Sequence, residues 1–566
     1  MTDRPDADDF DRPDADRIDR SDADRIDRSD ADRIDRPDAD GSDRPGWMDL
    51  LASSLVAGAA GVAAVAGSYA AVGRTPAFVG APISEVVVAS TPDALVAWSI
   101  QTLGSVGSQL GFLLALALTV GLFALTTATA ALLADRFAVP TVAVVSVACV
   151  AVALALTGSA TSTLAAGAGA GVVVALSSVG ASGADEETAE DSDAGLSSAR
   201  RRVLQAVVGA FAVSGVGALL GSGKSGEVPE TDGEVSAGVQ SLLNEAADKS
   251  LDVEGIEPLV SEQFYQVDIN NVDPTPKREE WTLSVTGAVE EETDFDYEDL
   301  TRLTESVEHR FVTLRCVGEG LNGKKMDTAL WTGVPVMDLL DSAGIDAGEN
   351  CCVMLRAADD YFEEFPLSAL EGGLLAFEMN GDPLPRGHGY PVRALIPGHW
   401  GEINVKWLTE IEVLEEEAKG YWERRGWHGT GPVNTVAKLH AVNRLDEGTD
   451  DSAGSGGSGT EMQVGGHAYA GTRGIETVEV STDGGESWAE ATLSEPLPAS
   501  PGESGSGSER SAAEDAWRQW EYTYEASDAH EVVVRATDGE ENLQPKKERK
   551  PFPSGATGWV SKRVEP

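Results

Sequence analysis

The strongest pattern in the chain is a block of long apolar runs between residues 47 and 222. Alanine, valine, leucine and glycine dominate five stretches of this block, near residues 48–72, 109–133, 138–157, 161–181 and 203–221. Such runs approach the roughly 20 apolar residues that a helix needs to cross a bilayer. Buried helices of a water-soluble core do not account for so many runs in succession. The pattern therefore predicts an α-helical membrane anchor of about five spans.

The segments on either side of this block are polar. Residues 1–46 repeat the octets DRPDADRI and DRSDADRI, which offer no apolar face to bury, and we interpret them as a disordered tail. Residues 223–258 are acidic and contain one amphipathic stretch, VQSLLNEAADKSL. We interpret this segment as a linker with a single short helix.

Shorter apolar runs separated by turn residues follow the linker. In residues 259–415 the runs FVTLRC, CCVMLRA, VRALIP and INVKWLTEIEV indicate the strands of an α+β domain. In residues 416–566 the segments HAYAG, IETVEVS, WEYTYEA and HEVVVRATD alternate in the manner of an antiparallel sandwich. Flexible segments are expected at DDSAGSGGSG and around residues 496–515. The chain is thus predicted to be multi-domain.

Composition narrows the possible partners. The formal net charge is -52 and the pI is about 4.3, so the chain repels nucleic acid. This excess of acidic residues resembles the surface of a protein from a salt-saturated cytoplasm. All seven histidines follow the apolar block, so the anchor offers no histidine pair for a haem. No haem is therefore expected in this chain, and a redox enzyme built this way needs a separate electron-transfer partner.

Basic residues predict the orientation of the anchor. Arg200, Arg201 and Arg202 precede the last run and Arg136 follows the second, which places both on the cytoplasmic side. With five spans, the chain after residue 222 then lies outside the cell. The arginine cluster resembles a twin-arginine export signal, but a plain positive-inside cluster explains it equally well.

Candidate chemistry is concentrated in GDPLPRGHGYPVRALIPGHWGEINVKWLTEIEV, residues 381–413. This segment sets His388, Arg393 and Lys406 among turn residues and short strands, an arrangement that suits a bound anion. Upstream, Cys316 lies between the apolar run FVTLR and the glycine-rich turn VGEGLNG. It is either a soft thiolate ligand for a transition metal or a small buried hydrophobic residue.

The pattern PLPxxHGxPxR, PGxxG and VKW in this segment resembles the sulfite oxidase family of molybdopterin enzymes. The resemblance implies that His388, Arg393 and Lys406 hold the phosphate and pterin of the cofactor and that Cys316 ligates molybdenum. Cys351 and Cys352 lack metal-ligand spacing, and we interpret both as core residues of a strand.

The same resemblance assigns further residues. It implies that Asp359, Asn404, Phe264 and Tyr265 contact the cofactor and that Tyr361 faces the substrate. It also implies that the C-terminal segments form an immunoglobulin-like dimerisation domain, so a homodimer is expected.

Two segments depart from the family pattern. Gln266, Val267 and Asp268 follow the aromatic pair, where an arginine for an oxyanion substrate is expected. After Cys316 the chain places Glu319 near the expected metal, and it moves the cations to Lys324 and Lys325. These lysines either restore attraction for anions or belong to a solvated turn.

The implied activity is oxygen-atom transfer to sulfite or a related small oxyanion by a molybdenum-dependent oxidoreductase. Two alternatives stay open at this point. One is a sulfoxide-type reductase that uses the same cofactor, and the other is a non-catalytic cell-surface assembly protein.

Overall fold

The computed structural model describes residues 47–103, 105–182, 194–222, 235–302, 307–345, 351–445, 460–499, 513 and 515–566. The predicted tail of residues 1–46, the first part of the predicted linker, the segment DDSAGSGGSG and most of residues 500–514 lie outside the described residues.

The described residues between 47 and 221 form seven helices joined by loops. These helices are α1 (Trp47–Val72), α2 (Ala81–Ser90), α3 (Asp93–Leu103), α4 (Ser105–Phe137), α5 (Thr141–Thr157), α6 (Ala160–Ser182) and α7 (Ala194–Gly221). Four stretches are long and apolar enough to cross a membrane, namely Trp47–Val72, Gln109–Phe137, Ala160–Val179 and Arg200–Gly221. The remaining predicted span, α5, begins only after Pro140 and has 17 residues. The sequence reading did not anticipate α2 and α3.

Small residues let these helices approach closely. A Cβ atom at Gly169 would lie 2.2 Å from the carbonyl oxygen of Ala63, so α6 packs against α1 backbone to backbone. Gly217 faces Ala66 and Gly221 faces Tyr69 in the same way. From the first pair to the second, the residue number increases in both helices, so α1 and α7 run parallel.

Two mainly antiparallel sheets lie between residues 282 and 414. The first has the strand order β2-β1-β10-β5-β6, in which β1 and β10 pair in parallel, and the second has the order β3-β4-β7-β8, with β9 paired to β7. The strands are β1 (Thr282–Gly287), β2 (Thr293–Asp296), β3 (Glu308–Arg315), β4 (Met326–Pro335), β5 (Cys352–Ala357), β6 (Phe362–Pro366), β7 (Leu374–Met379), β8 (Asp382–Pro383), β9 (Arg393–Leu395) and β10 (Leu408–Leu414).

Three further helices lie between residues 237 and 342: α8 (Ala237–Lys249), α9 (Tyr297–Arg302) and α10 (Val336–Ser342). The expected helix of the linker is α8, and its buried face consists of Val239, Leu242 and Ala246. That face joins a hydrophobic cluster with Trp400 and Trp517, so this part of the predicted linker is packed rather than free.

The C-terminal part contains two antiparallel sheets around a shared core. One has the order β11-β13-β17-β16, with β12 paired to β13, and the other has the order β15-β14-β18-β19. Their strands are β11 (Val436–Ala437), β12 (Ala441–Arg444), β13 (Thr460–Tyr469), β14 (Ile475–Ser481), β15 (Ala489–Glu490), β16 (Thr492–Leu493), β17 (Arg518–Ala526), β18 (His530–Asp538) and β19 (Val560–Val564).

The adjacent cysteines differ from the sequence prediction. Cys352 is buried in β5, as expected, but Cys351 precedes the strand and is exposed. The two form a disulfide with each other. The prediction was wrong for Cys351 because β5 begins one residue later than the apolar run.

Candidate functional site

Cys316 lies directly after β3, as the apolar run predicts. Its amide donates to the carbonyl oxygen of Lys325 at 3.0 Å, which closes the turn between β3 and β4. The thiol is half-buried and forms no disulfide. Burial raises the pKa of this thiol, and Lys325 opposes the rise. A thiol at the end of a fixed strand is suitably placed for a metal, which would bind its deprotonated form.

The charged residues around Cys316 form a buried ion-pair network. Glu319 pairs with Arg315 at 3.1 Å and with Lys438 at 2.5 Å, and it accepts the amide of Lys325 at 2.8 Å. Burial alone would raise the pKa of Glu319, but Lys438 and Arg315 lower it below its usual value. Glu319 therefore holds the Cys316 turn against the C-terminal part of the chain.

Arg393, the first residue of β9, is 4% exposed. Its Nη1 donates to the carbonyl oxygen of His388 at 3.2 Å and its Nη2 to that of Asn404 at 3.0 Å. The guanidinium carbon lies 5.1 Å from the ring centroid of Trp331. Burial lowers the pKa of Arg393 to about 10, so the group stays charged at neutral pH. Its Nε has no partner among the described residues, which leaves one buried donor free for an anion.

His388 and Lys406 flank this arginine but differ in charge. Burial, followed by Arg393 and Lys406, lowers the pKa of His388 to about 3, so the imidazole is neutral rather than the cation that the sequence pattern implies. Lys406 forms an ion pair with Asp268, and its Nζ donates to the carbonyl oxygen of Gly387 at 3.0 Å. Asp268 thus partly neutralises the predicted phosphate-binding lysine.

Asn404 and Asp359 order the loops around these cations. The side chain of Asn404 accepts the amide of Ile396 at 2.7 Å and donates to the carbonyl oxygen of Trp400 at 3.0 Å, so it fixes the PGHWG loop. Asp359 is buried and accepts the amide of Tyr361 at 3.1 Å. Burial raises the pKa of Asp359 to about 6. Direct contact of either side chain with the cofactor stays a prediction.

An aromatic wall lies beside the same loops. Phe264 stacks on Tyr265 with ring centroids 5.6 Å apart and meets Trp331 and His388 edge-on at 5.5 and 5.4 Å. A Cβ atom at Gly401 would lie 2.7 Å from the Tyr265 hydroxyl and 3.3 Å from the carbonyl oxygen of Arg315. The aromatic pair therefore reaches the turn that carries Cys316.

Tyr361 faces a group of carboxylates. Its hydroxyl lies 3.0 Å from Oε2 of Glu363 and 2.8 Å from the carbonyl oxygen of Glu402, and it donates to one of these acceptors. Burial raises the pKa of Tyr361 well above its usual value. Burial also raises the pKa of Glu363 and of Glu402.

The structure thus gathers His388, Arg393 and Lys406 beside the Phe264 and Tyr265 wall. An orphaned guanidinium donor, a lysine and flat aromatic surfaces fit a group that combines phosphate with a planar ring system, as a molybdopterin does. Sequence reasoning missed Trp331 under Arg393, and it missed Glu363 and Glu402 beside Tyr361. Trp331 carried no sequence signal beyond its place in an apolar run, and the carboxylates were hidden among many surface acids.

Comparison with known proteins identifies two domains in the chain. Residues 270–422 match the family model of the oxidoreductase molybdopterin binding domain, and residues 447–552 match that of the Mo-co oxidoreductase dimerisation domain. A solved structure, the sulfane dehydrogenase SoxCD from Paracoccus pantotrophus, aligns at 17% identity with a TM-score of 0.41, covering 60% of this chain and 93% of that chain.

Curated relatives include sulfite oxidases and a nitrate reductase. Mitochondrial sulfite oxidase of Mus musculus is 30% identical over 275 residues, covering 41% of this chain and 48% of the relative. Sulfite oxidase of Arabidopsis thaliana is 28% identical over 262 residues, covering 40% of this chain and 64% of the relative. Inducible nitrate reductase [NADH] 2 of Glycine max is 29% identical over 333 residues, covering 49% of this chain and 36% of the relative.

The chain spans about half the length of the mammalian relatives that it matches. The matched residues include the Cys316 turn, the Arg393 loop and most of the C-terminal sheets. The chain thus carries a molybdopterin-binding domain and a Mo-co dimerisation domain, and it is similar to the sulfite oxidases among the molybdopterin-dependent oxidoreductases.

Proposed function

We propose that this protein is a membrane-anchored oxidoreductase that transfers an oxygen atom to sulfite or a related small sulfur-containing substrate. The observation that carries the proposal is the convergence of Arg393, His388 and Lys406 beside the turn that carries Cys316. When bound, the molybdenum cofactor supplies the two-electron chemistry of the reaction. Electrons then leave through a separate partner protein.

Residues of the chain would bind the cofactor, the metal and the substrate. The free Nε of Arg393 and the ammonium of Lys406 would hold the anionic part of the cofactor. The thiolate of Cys316 would hold the metal, and the Tyr361 hydroxyl would turn from Glu363 and the Glu402 carbonyl oxygen to donate a hydrogen bond to the substrate. Tyr361 keeps its proton at neutral pH because burial raises its pKa.

A sulfoxide-type reductase on the same cofactor is the second candidate. It is favoured by the surroundings of Tyr361, where the side chains of Glu363 and Glu402 lie instead of the cation that an oxyanion needs. Gln266 and Val267, at the expected position of the missing arginine, are both exposed. A neutral sulfoxide needs no cation in the site, whereas glutamates do not attract a sulfite dianion in either protonation state.

Turnover assays separate the two candidates. Purified protein at high salt is offered sulfite with an artificial electron acceptor, and methionine sulfoxide with a reduced dye. Sulfite turnover that falls at least tenfold in Tyr361→Phe supports the first candidate. Turnover of the sulfoxide alone supports the second, and no turnover of either by molybdenum-loaded protein contradicts both.

The membrane part of the proposal rests on the helical region. Large apolar side chains on α4 and α7 are exposed, among them Leu125 at 63% and Phe211 at 76%, as a lipid-facing surface requires. Because α1 and α7 run parallel, an odd number of crossings separates them, which supports α5 as a fifth span beside α4 and α6. At about 1.5 Å per residue, α5 is roughly 26 Å long, near the thickness of a bilayer core.

Contacts with the catalytic domain support its placement outside the cell. The segment between α1 and α4 touches this domain, since Asp93 pairs with Arg425 at 2.8 Å and Ser84 accepts from Asn271 at 3.2 Å. The domain therefore lies at the ends of α1 and α7 that are opposite to Arg200. The two antiparallel C-terminal sheets are consistent with an immunoglobulin-like sandwich, through which two copies of the chain would form a homodimer.

A further inference from the structure

Three glutamates from separate segments meet beside Tyr361. Glu363 lies on β6, Glu402 follows the PGHWG turn, and Glu423 begins a short helical turn after residue 422. One carboxylate oxygen of each lies within 4.8 Å of the other two. Glu363 is fully buried and Glu402 is 7% exposed, so the cluster, here called the Glu363 cluster, is not a surface feature.

The carboxylates of this cluster are unusually poor in partners. Both oxygens of Glu402 and both oxygens of Glu423 are buried and have no hydrogen-bond partner among the described residues. Leaving a buried carboxylate without a partner costs several kcal/mol, and like charges close together raise this cost. A bound cation or shared protons must therefore neutralise the cluster.

Glycines make room for these side chains. A Cβ atom at Gly429 would lie 2.1 Å from Oε2 of Glu402, and one at Gly420 would lie 1.3 Å from Oε1 of Glu363. Any side chain at either position would displace a carboxylate. The walls of the Glu363 cluster are thus shaped to keep the carboxylate oxygens directed at one another.

We propose that Glu363, Glu402 and Glu423 bind a hard divalent cation of the calcium class beside the Tyr361 hydroxyl. All three ligands are oxygens, which calcium prefers, and they come from three segments that the ion would tie together. No donor from another described group reaches the oxygens of Glu402 and Glu423, so either an ion or shared protons must join these carboxylates, and the experiment below separates the two. The proposal does not depend on molybdenum or on the substrate.

Terbium luminescence tests the site in the full-length protein. Terbium(III) replaces calcium at oxygen sites and is excited through nearby aromatic rings, here Tyr361, Tyr421 and Trp422. The titration is run in about 1 M potassium chloride, where a Debye length of about 3 Å screens diffuse binding to the acidic surface. We expect saturation near one terbium per chain and displacement by calcium.

Matched variants show whether the terbium luminescence comes from the Glu363 cluster. Glu402→Gln and Glu423→Gln should weaken terbium binding at least tenfold, whereas Glu364→Gln, the neighbour of Glu363 on β6, should leave it unchanged. Calcium should also raise the Tm of the wild type but not that of Glu423→Gln. This second variant keeps the test valid if Glu402→Gln does not fold.

Binding of equal strength in Glu423→Gln, or no saturable binding at all, would overturn the cation site. In that case, shared protons would have to neutralise the cluster. Molybdenum content, measured on the same preparations, separates a failure of this inference from a failure of the proposed function.

Discussion

Arg393 donates to the backbone carbonyl oxygen of Asn404 at 3.0 Å, while the side chain of Asn404 holds the loop that precedes it. The predicted cofactor cation and the PGHWG loop are therefore held by one residue. Because Arg393 makes its remaining bond to His388, both of its carbonyl partners are set by backbone geometry and not by another charge. Its charge is left for a bound anion.

Replacing Arg393 by lysine should lower cofactor retention. A lysine keeps the charge but lacks the planar donors that reach two carbonyls and still leave Nε free. We expect the molybdenum retained after gel filtration to fall at least tenfold. Arg356→Lys is the matched control, since Arg356 pairs with Glu410 and Glu412 on a sheet surface. Equal retention in the two variants would show that Arg393 does not hold the cofactor.

Replacing Asn404 by alanine should destabilise the catalytic domain. The change leaves the buried amide of Ile396 without a partner and removes one of the two donors to the carbonyl oxygen of Trp400. Such a loss costs about 1–3 kcal/mol per buried group, so we expect the Tm to fall by about 4 °C or more. Asn443→Ala, which removes a bond at a more exposed position, should change it by less than about 2 °C. A Tm that is unaffected by Asn404→Ala would refute this role.

Asp515 should make stability depend on pH. Its Oδ1 accepts the Tyr469 hydroxyl at 2.6 Å and the Gly398 amide at 2.9 Å, while its buried Oδ2 has no partner among described residues. Burial raises its pKa from 3.8 to about 8. The folded state therefore keeps a proton that the unfolded state releases, so this contribution is fully present below pH 4 and is lost as pH rises to about 8.

Asp515→Asn keeps both bonds to Oδ1 and removes the titration. At pH 9 we expect the variant to be more stable than the wild type by roughly 2–5 kcal/mol, with the difference shrinking toward pH 4. Thermal unfolding at several pH values measures this, with the exposed Asp528→Asn as control. Parallel pH profiles for wild type and Asp515→Asn would contradict the buried proton.

The orientation of the anchor can be tested by labelling. Ser90→Cys lies at the end of α2 in the segment that contacts the catalytic domain, and Arg136→Cys lies near the end of α4. Both positions are exposed. In intact cells, an impermeant maleimide should label only Ser90→Cys, and permeabilised cells should label both. Labelling of Arg136→Cys alone in intact cells would reverse the topology.

The sequence predicted those features that depend on local pattern. Cys316 follows a strand because its apolar run stops at a glycine-rich turn, and the loops that carry His388, Arg393 and Lys406 are marked by proline and glycine. The family models match this region, so the molybdopterin prediction is confirmed.

Features that depend on contacts between residues far apart in the chain could not be predicted from the sequence. Glu319 was placed near the metal, but its partner Lys438 lies 119 residues away and no local pattern connects them. The neutral state of His388 follows from burial and from two neighbouring cations, which are properties of the folded chain. The Glu363 cluster joins three segments for the same reason, and an excess of acidic residues conceals it in the sequence.

The molybdenum content of the purified full-length protein, measured beside that of a Cys316→Ser variant, tests the central claim most directly. We expect about one molybdenum per wild-type chain and a clear loss of metal, or an altered molybdenum spectrum, in the variant, because a serine hydroxyl does not replace a thiolate ligand. A folded wild-type protein without molybdenum, or a variant that binds the metal with an unchanged spectrum, would contradict the assignment of Cys316 and of the site around it.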